Sequence, residues 1–281
     1  MRIGIDLGTT TSTVVGLGPD GNLFPPFLID SLAAWRNGHI FFGEDANAAL
    51  LEDPSHTFPI RDLKLKLGEK SIKVGGNSLD VDEIVKQFFK FLAEKIAPGQ
   101  EIEEAVIGTP VNVSEKHRNA LLQCAKNAGF KTSRLVYEPS SALVGAMELD
   151  DMARENIILI VDWGGGTLDL SLIKKSEDHL QEIAVDGDFS LFGGSQMDES
   201  ILKKTLDSFP SVKDRLASIQ NGFELLKIEA EIAKKEILES ASPETDCVEI
   251  APRWLKDSLT FEGKKVTEVA IDVWVKIGLY C

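Results

Sequence analysis

Residues 158–173 read ILIVDWGGGTLDLSLI, and residues 3–17 read IGIDLGTTTSTVVGL. Each is an apolar run ending in aspartate, then a turn of glycine and threonine, then a second apolar run. The two aspartates, Asp6 and Asp162, lie 162 − 6 = 156 residues apart. A single strand–Asp–Gly turn is a common structural feature. Two with matching flanks in one chain point to a duplicated unit and so to two similar lobes. A glycine-rich turn after a strand exposes successive backbone N–H groups, and such groups bind phosphate oxygens. The aspartate before the turn repels phosphate unless a divalent cation lies between them. Magnesium suits that place, because it keeps several waters and is held by one or two carboxylates plus phosphates. Two such turns facing each other clamp one polyphosphate from both sides, with Asp6 and Asp162 sharing a hydrated magnesium.

At 281 residues the protein is long for one core and comfortable for two domains of roughly 140 each. Hydrophobic residues make up 43% and mean hydropathy is −0.03, as in a globular protein. The net charge of −15 argues against a nucleic-acid surface, which needs clustered Lys and Arg. It does not argue against a local phosphate site. Cys124, Cys247 and Cys281 form no CxxC pair, and an odd count is no disulfide framework. No signal peptide and no apolar run of 18 residues is visible, so no membrane partner and a cytoplasmic protein are expected.

Strand and helix signals alternate, which predicts a layered α/β architecture. The first unit reads as a hairpin meander closed by PDGN at Pro19–Asn22. Residues 24–70, punctuated by Pro25, Pro26, Pro54 and Pro59, read as irregular. A helix is expected from near Asp80 to Pro98-Gly99, then a buried strand in AVIGTPV. Ser114 is the expected cap of a helix that stops at Gly129, RLVYE reads as a strand, and Pro139 opens a short helix. After the second unit come FGGSQMDESILKKTL as a loop feeding a helix, the charged amphipathic stretch FELLKIEAEIAKKEIL, and strand-like CVEIAP and SLTFEG.

The pieces IGIDLGTTTS, KLKLG (64–68), AVIGTPVNVSEKHRNAL (105–121), YEPSSAL (137–143), VDWGGGTLDLSL, FGGSQMD (192–198) and EIAKKEIL (231–238) occur in this order. In that order the sequence resembles the nucleotide-binding domain of the 70-kilodalton heat-shock chaperone family, DnaK-like, within the actin-like ATPase (ribonuclease H-like) fold. The resemblance covers residues 1 to about 265. It implies a lobe I over 1–155, with an inserted subdomain near 30–105. A lobe II over 156–281 follows, with a helical and strand subdomain near 192–270, and the nucleotide cleft lies between the lobes. Nothing after Gly194 has the form of the family's late glycine-pair loop, so lobe II is expected to be incomplete and the domain truncated at its C-terminus. The peptide-binding domain is then absent from this sequence.

Carried over position by position, the resemblance implies that Asp6 and Asp162 hold magnesium through its waters. Gly8, Thr9, Thr10 and Thr11 contact phosphates on one lobe, and Gly164, Gly165, Gly166 and Thr167 on the other. Lys64 sits by the γ-phosphate and the attacking water. Glu138 links the magnesium shell to interlobe movement. Asp169 lies near the water and potassium sites, and with Lys64, Glu138 and Asp162 it makes the catalytic set. Gly193 and Gly194 line the phosphate side of lobe II, and Glu231, Lys234 and Lys235 face the adenosine. Several of these have plainer readings. Lys66 competes with Lys64 if the register slips. Glu138 is also a good helix N-terminal acid, Asp169 could face solvent, and Lys234 and Lys235 could belong to a solvated charged face. The four histidines show no ligand spacing and read as surface or structural, and Trp163 is expected to pack locally.

The implied activity is magnesium-dependent ATP binding and hydrolysis, coupling nucleotide state to lobe closure and protein folding, with co-chaperone or exchange-factor partners. The alternative is a non-hydrolysing nucleotide-binding or interaction module. A sugar kinase is a third reading, for which no sugar-site motif is found.

Overall fold

The duplicated sequence units fold as antiparallel hairpins. In the computed structural model, which describes residues 1–149, 156–176, 179–186, 193–208, 210, 213, 216–217, 221–240, 260–261 and 264–265, the first is β1 (Arg2–Asp6) and β2 (Thr11–Leu17). It continues through β3 (Phe27–Asp30), β4 (Ala33–Arg36), β5 (His39–Phe42), α1 (Gly43–Glu52), β6 (Phe58–Ile60) and α2 (Leu63–Lys66). A small hairpin, β7 (Ser71–Val74) and β8 (Asn77–Asp80), leads into α3 (Val81–Ile96). Then come β9 (Glu104–Thr109), α4 (Glu115–Ala128), β10 (Thr132–Tyr137) and α5 (Glu138–Leu149). The second duplicated unit is β11 (Ile157–Trp163), β12 (Leu168–Lys175) and β13 (Leu180–Asp186). It is followed by α6 (Gly194–Ser208), α7 (Gly222–Ser240) and the short pair β14 (Thr260–Phe261) and β15 (Lys264–Lys265).

Contacts divide the protein into two compact units. The first comprises Met1–Ala33, Phe42–Glu44 and Ile60–Gly193, and the second Ala34–Phe41, Asp45–Pro59 and Gly194–Cys281. In the first unit a five-stranded sheet has the order β10-β9-β1-β2-β3. β1 pairs antiparallel with β2, from Arg2↔Leu17 to Asp6↔Thr13, and parallel with β9. Alternation puts Ile3, Ile5, Val14, Ala105 and Ile107 on the buried side. α3 packs against β2 and α4, and α4 against β10. Asp80 caps α3 by accepting the Glu83 N–H at 2.9 Å. Ser114 caps α4 by accepting the His117 N–H at 3.2 Å, and Gly129 at φ 101° ends that helix. Phe88, 1% exposed, sits with its ring centroid 5.3 Å from that of Phe42 and 6.3 Å from that of Phe91. Phe88→Ala is therefore expected to cost about 3–5 kcal/mol, read as a lower denaturation midpoint in urea.

The three-stranded sheet β11-β12-β13 repeats the β1-β2-β3 meander, with Asp162 opposite Asp169 in the register. One side is buried: Ile158 and Ile173 pack on Leu143 of α5, joined by Met147, Ile160 and Leu180. The other side shows Ile157, Leu159, Val161 and Trp163, each more than half exposed. Trp163 stands at the end of this exposed side, 52% exposed.

In the second unit, β5-β4-β6 form a small sheet. The Trp35 and Phe58 rings meet at 5.8 Å, and Arg36 pairs with Glu52 at 2.9 Å while covering the Phe41 ring. α6 and α7 pack through Ile201, Ala230 and Met197, and Lys227 bridges to Glu199 at 2.8 Å.

Residues 24–70 correct the sequence reading. They are not irregular but carry β3 to β6, α1 and α2. The elements are short, bounded by left-handed Asn37 (φ 51°) and Asp62 (φ 58°), and held by buried Ala33, Ala34, Ala46 and Leu50 rather than by periodicity. The strand-like CVEIAP segment and the last residues of the sequence lie outside the described residues. Among the described residues, no helix is long and apolar enough to cross a membrane.

Candidate functional site

Both Asp–Gly–Thr turns belong to the first unit, and they touch. Leu7, 1% exposed, anchors the first turn, and Ser31 N–H donates to the Thr10 carbonyl at 2.8 Å. Gly164 N–H closes the second turn on the Thr167 carbonyl at 2.8 Å. Where the turns meet, glycine is required by space. A Cβ on Gly165 would lie 2.6 Å from Oγ1 of Thr10, and one on Gly166 would lie 2.8 Å from Oγ1 of Thr9. Gly193 comes in from the other side: its Cβ would lie 2.7 Å from the Gly165 carbonyl oxygen. Residues far apart in sequence thus place their backbones side by side, the arrangement that anion-binding turns use.

Beside the turns lies a cluster of carboxylates around one ammonium. Lys64, on α2, is 6% exposed and donates from Nζ to both Glu138 carboxylate oxygens, each at 2.8 Å. Lys66, the competing lysine, instead donates to the Arg61 carbonyl at 2.6 Å. Asp6, Gly108, Glu138, Ser141, Ile160 and Asp162 line a cavity of about 520 Å³.

Burial pushes the Glu138 carboxyl up to about 7; the Lys64 charge and hydrogen bond pull against it, and Asp6 and Asp162 add to it. The paired geometry with Lys64 belongs to the ionised form, and burial sets how readily that form is lost. Asp6 is exposed by its surface area, and the partial burial of its carboxyl raises it, opposed by Lys64 and reinforced by Asp162. Asp169, 2% exposed, is also raised by burial, while a hydrogen bond with Thr167 lowers it. It does not face solvent, and its Oδ2 is buried with no hydrogen-bond partner among the described residues.

This set has four carboxylates and one ammonium, so it is short of positive charge. Burial of uncompensated carboxylates is unfavourable, and a divalent cation would relieve it. Among the described residues no three acidic, His or Cys groups converge for direct ligation. A cation held by Asp6 and Asp162 would therefore keep its waters, as magnesium does. The residues present fit that ion.

The Glu138 carboxyl makes stability depend on pH. Its value in the fold, about 7, lies above the ordinary 4.5, so the fold prefers the protonated form. That stability is complete below pH 4.5 and is lost as pH rises to about 7. Glu138→Gln is expected to remove this slope and to raise stability at pH 8 by about 1–3 kcal/mol relative to the parent. Lys64 keeps Asp6 and Asp169 as neighbouring charges. Urea denaturation at pH 5 and pH 8 checks it; equal pH slopes in both proteins would overturn the assignment.

Glu231, Lys234 and Lys235 lie on α7 in the second unit. Lys234 is 8% exposed, donates to the Gly194 carbonyl at 2.8 Å and pairs with Asp198 at 2.7 Å. It is not on a solvated face. Lys235 pairs with Glu231 at 2.8 Å, one helical turn away. Sequence reasoning missed Gly108, where a Cβ would approach Cγ of Glu138 at 3.2 Å. The signal was a glycine at the end of the buried strand AVIGT. It also set His117 aside, which is buried on α4.

The family model described as Hsp70 protein matches residues 39–253. The chaperone protein DnaK of Mycoplasmoides gallisepticum is 32% identical over 264 residues, which cover 86% of this chain and 42% of the relative. DnaK of Mycoplasmopsis agalactiae is 31% identical over 85% of this chain and 40% of the relative, and DnaK of Thermotoga maritima 30% over 87% and 42%. The protein spans about two fifths of the length of the curated relatives it matches. Paired meanders whose first two strands join through an Asp–Gly–Thr turn, together with a family match over most of the sequence, place this protein in the Hsp70 family, with the actin-like ATPase fold of that family's nucleotide-binding domain.

Proposed function

We propose that the protein binds ATP and ADP with magnesium and hydrolyses ATP, as a chaperone-type nucleotide-binding domain. The observation that carries this reading is the contact of the two glycine–threonine turns beside the Lys64–Glu138 pair. The turns part to admit the phosphates, whose oxygens take N–H groups of Gly8–Thr11 and of Gly165–Thr167, while Gly164 N–H keeps the second turn closed. Asp6 and Asp162 would hold a hydrated magnesium ion, which when bound would offset phosphate charge. Lys64 turns its ammonium to the γ-phosphate and fixes the attacking water in line. Glu138 and Oδ2 of Asp169, which has no hydrogen-bond partner among the described residues, accept hydrogen bonds from that water and hold its orientation. Positioning and charge neutralisation supply most of the rate.

In this reading Gly193 and Gly194 line the phosphates, Glu231, Lys234 and Lys235 face the adenosine, and Asp169 would help to hold a potassium ion. The lobes are residues 1–155 and 156–281, and their closure reports nucleotide state to a co-chaperone or exchange factor in the cytoplasm. The test is calorimetric titration with ADP and magnesium, followed by phosphate release from ATP. The parent is expected to bind and to release phosphate. Asp162→Asn is expected to weaken magnesium-dependent binding on the order of 10- to 100-fold, as loss of an outer-shell group does. Its thermal stability should hold, because Asp162 raises both Asp6 and Glu138. Binding without phosphate release would assign a non-hydrolysing nucleotide module, and no binding by a folded parent would overturn the proposal.

A further inference from the structure

Ser31 stands one residue past the end of β3 and holds the first turn region in two ways. Its backbone N–H donates to the Thr10 carbonyl at 2.8 Å, and its hydroxyl shares a 2.7 Å hydrogen bond with that of Ser12, the second residue of β2. Ser12 is 0% exposed and Ser31 4%, so both hydroxyls are removed from bulk water. Ser12 lies on the side of β2 that also buries Val14, opposite Ile29 in the register. Two apolar side chains would fill that place without the desolvation cost of two hydroxyls. The corner is also fixed from behind: the Leu32 carbonyl accepts the Gly43 N–H at 2.8 Å, and a Cβ on Gly43 would run into Ile29. The bond to Thr10 has a consequence for the turn. The peptide between Thr10 and Thr11 is planar and trans, so its carbonyl and its N–H point in opposite directions. With the Thr10 carbonyl directed at Ser31, the Thr11 N–H is directed away from it, toward the turn.

We propose that Ser31 is a positioning residue for the first phosphate turn: its N–H sets the Thr10–Thr11 peptide, its hydroxyl bond to Ser12 holds Ser31 in place to do so, and the Thr11 N–H is thereby kept aimed at an anion in the turn. The inference rests on the phosphate reading of the turns given above. An N–H group binds phosphate well where its direction is set before the anion arrives, because ordering a residue on binding costs affinity. A backbone bond one residue past a strand end is among the first to fray. The buried bond between Ser12 and Ser31 supplies the missing order from a place that the anion does not reach. Thr10 is also the residue whose side chain leaves no room for a Cβ on Gly165, so the same corner bears on the fit of both turns.

Two variants of the intact protein separate positioning from stability. Ser31→Ala strands the Ser12 hydroxyl in a buried place, so Tm should fall by about 3–5 °C. Affinity for ADP with magnesium should fall on the order of tenfold, below the hundredfold that a 1 Å misplacement can bring. The double variant Ser12→Ala/Ser31→Ala removes both partners, so Tm should return to near the parent value. ADP affinity should stay on the order of tenfold weaker, because nothing then holds Ser31. If ADP affinity recovers together with Tm, the two serines only hold β2 to β3, and the proposal is overturned. The second readout needs no nucleotide. The ¹⁵N order parameter of the Thr11 amide should fall from about 0.85 in the parent to below about 0.6 in the double variant, with that of Val14, further along β2, unchanged. An unchanged value at Thr11 overturns the proposal. If the parent binds no ADP, the phosphate reading fails, and the Thr11 amide alone decides whether Ser31 orders the turn.

Discussion

Lys64→Ala is expected to keep ADP and magnesium binding within a few-fold of the parent while lowering ATP hydrolysis on the order of 100- to 1,000-fold, the loss that follows removal of one preorganised donor at a developing charge. The expectation comes from position. Lys64 is the ammonium within the carboxylate cluster, 6% exposed, with both Glu138 oxygens at 2.8 Å. Its charge also reaches Asp6 and Asp169, lowering both carboxyls. Removing it takes away the donor for the γ-phosphate but leaves the backbone N–H groups of both turns. Binding and chemistry should therefore separate, with kcat falling far more than affinity for ADP. Stability should change less than when a buried pair is broken and one charge is stranded. Glu138 is already held up at about 7, so without Lys64 it takes a proton at neutral pH. Lys66→Ala is the matched control. Lys66 donates to the Arg61 carbonyl and is not drawn to Glu138, so hydrolysis should stay near the parent rate. Single-turnover phosphate release reads both variants. Parent-like release by Lys64→Ala would remove Lys64 from the mechanism, and an equal loss in Lys66→Ala would show that the register of α2 is wrong.

The choice between these lysines marks where the sequence stopped being legible. The doubled Asp–Gly–Thr units could be read because the signal is local: alternating apolar residues, a turn that only small residues fill, and a repeat of both. The two meanders and the register of Asp162 opposite Asp169 follow from that pattern. α3 and α4 were readable for the same reason, since Asp80, Ser114 and Gly129 are local caps on strongly periodic stretches. KLKLG carries no such information. Which lysine points inward depends on Asp62 at φ 58° and on a four-residue helix, both held by tertiary contacts. Lys234 is a similar case: its surroundings in the sequence are those of a solvated helix, and only the fold brings Asp198 and the Gly194 carbonyl to it. His117 was obscure for the opposite reason. Its i, i+3, i+4 relation to Ala120 and Leu121 marks it as buried, but no spacing reveals that its Nε2 has no hydrogen-bond partner among the described residues.

Gly8→Ala should give the largest structural effect of any single methyl group in this protein. A Cβ at Gly8 would run into the carbonyl oxygen of Thr11, with the Thr11 carbonyl carbon 3.1 Å away. Both are backbone atoms at the start of β2, where Thr11 pairs with Asp30. They cannot rotate aside as a side chain does. Relief requires β2 to slide or the turn to open, and either displaces the N–H groups between Asp6 and Thr11. The expected loss of stability is about 3 kcal/mol, at the upper end for overpacking, with ADP affinity lower on the order of 100-fold because the phosphate-facing N–H groups move. Gly165→Ala should be milder. Its Cβ meets the Thr10 side chain, 2.6 Å from Oγ1 and Cγ2, and a χ1 rotation of Thr10 relieves most of the overlap. Gly145→Ala should have the opposite sign. No atom of the described residues lies within 4 Å of its Cβ on the exposed side of α5, so the variant should gain about 0.5–1 kcal/mol of helix stability and bind nucleotide like the parent. Urea denaturation and ADP titration of the three variants give one ordering, Gly8 worst, Gly165 between, Gly145 above the parent. A Gly8→Ala protein as stable as the parent would mean that the first turn does not close on Thr11 and that its N–H groups are not held for phosphate. The same ordering in stability with unchanged ADP affinity in Gly8→Ala would mean that the turn is built as described but that the nucleotide does not bind there.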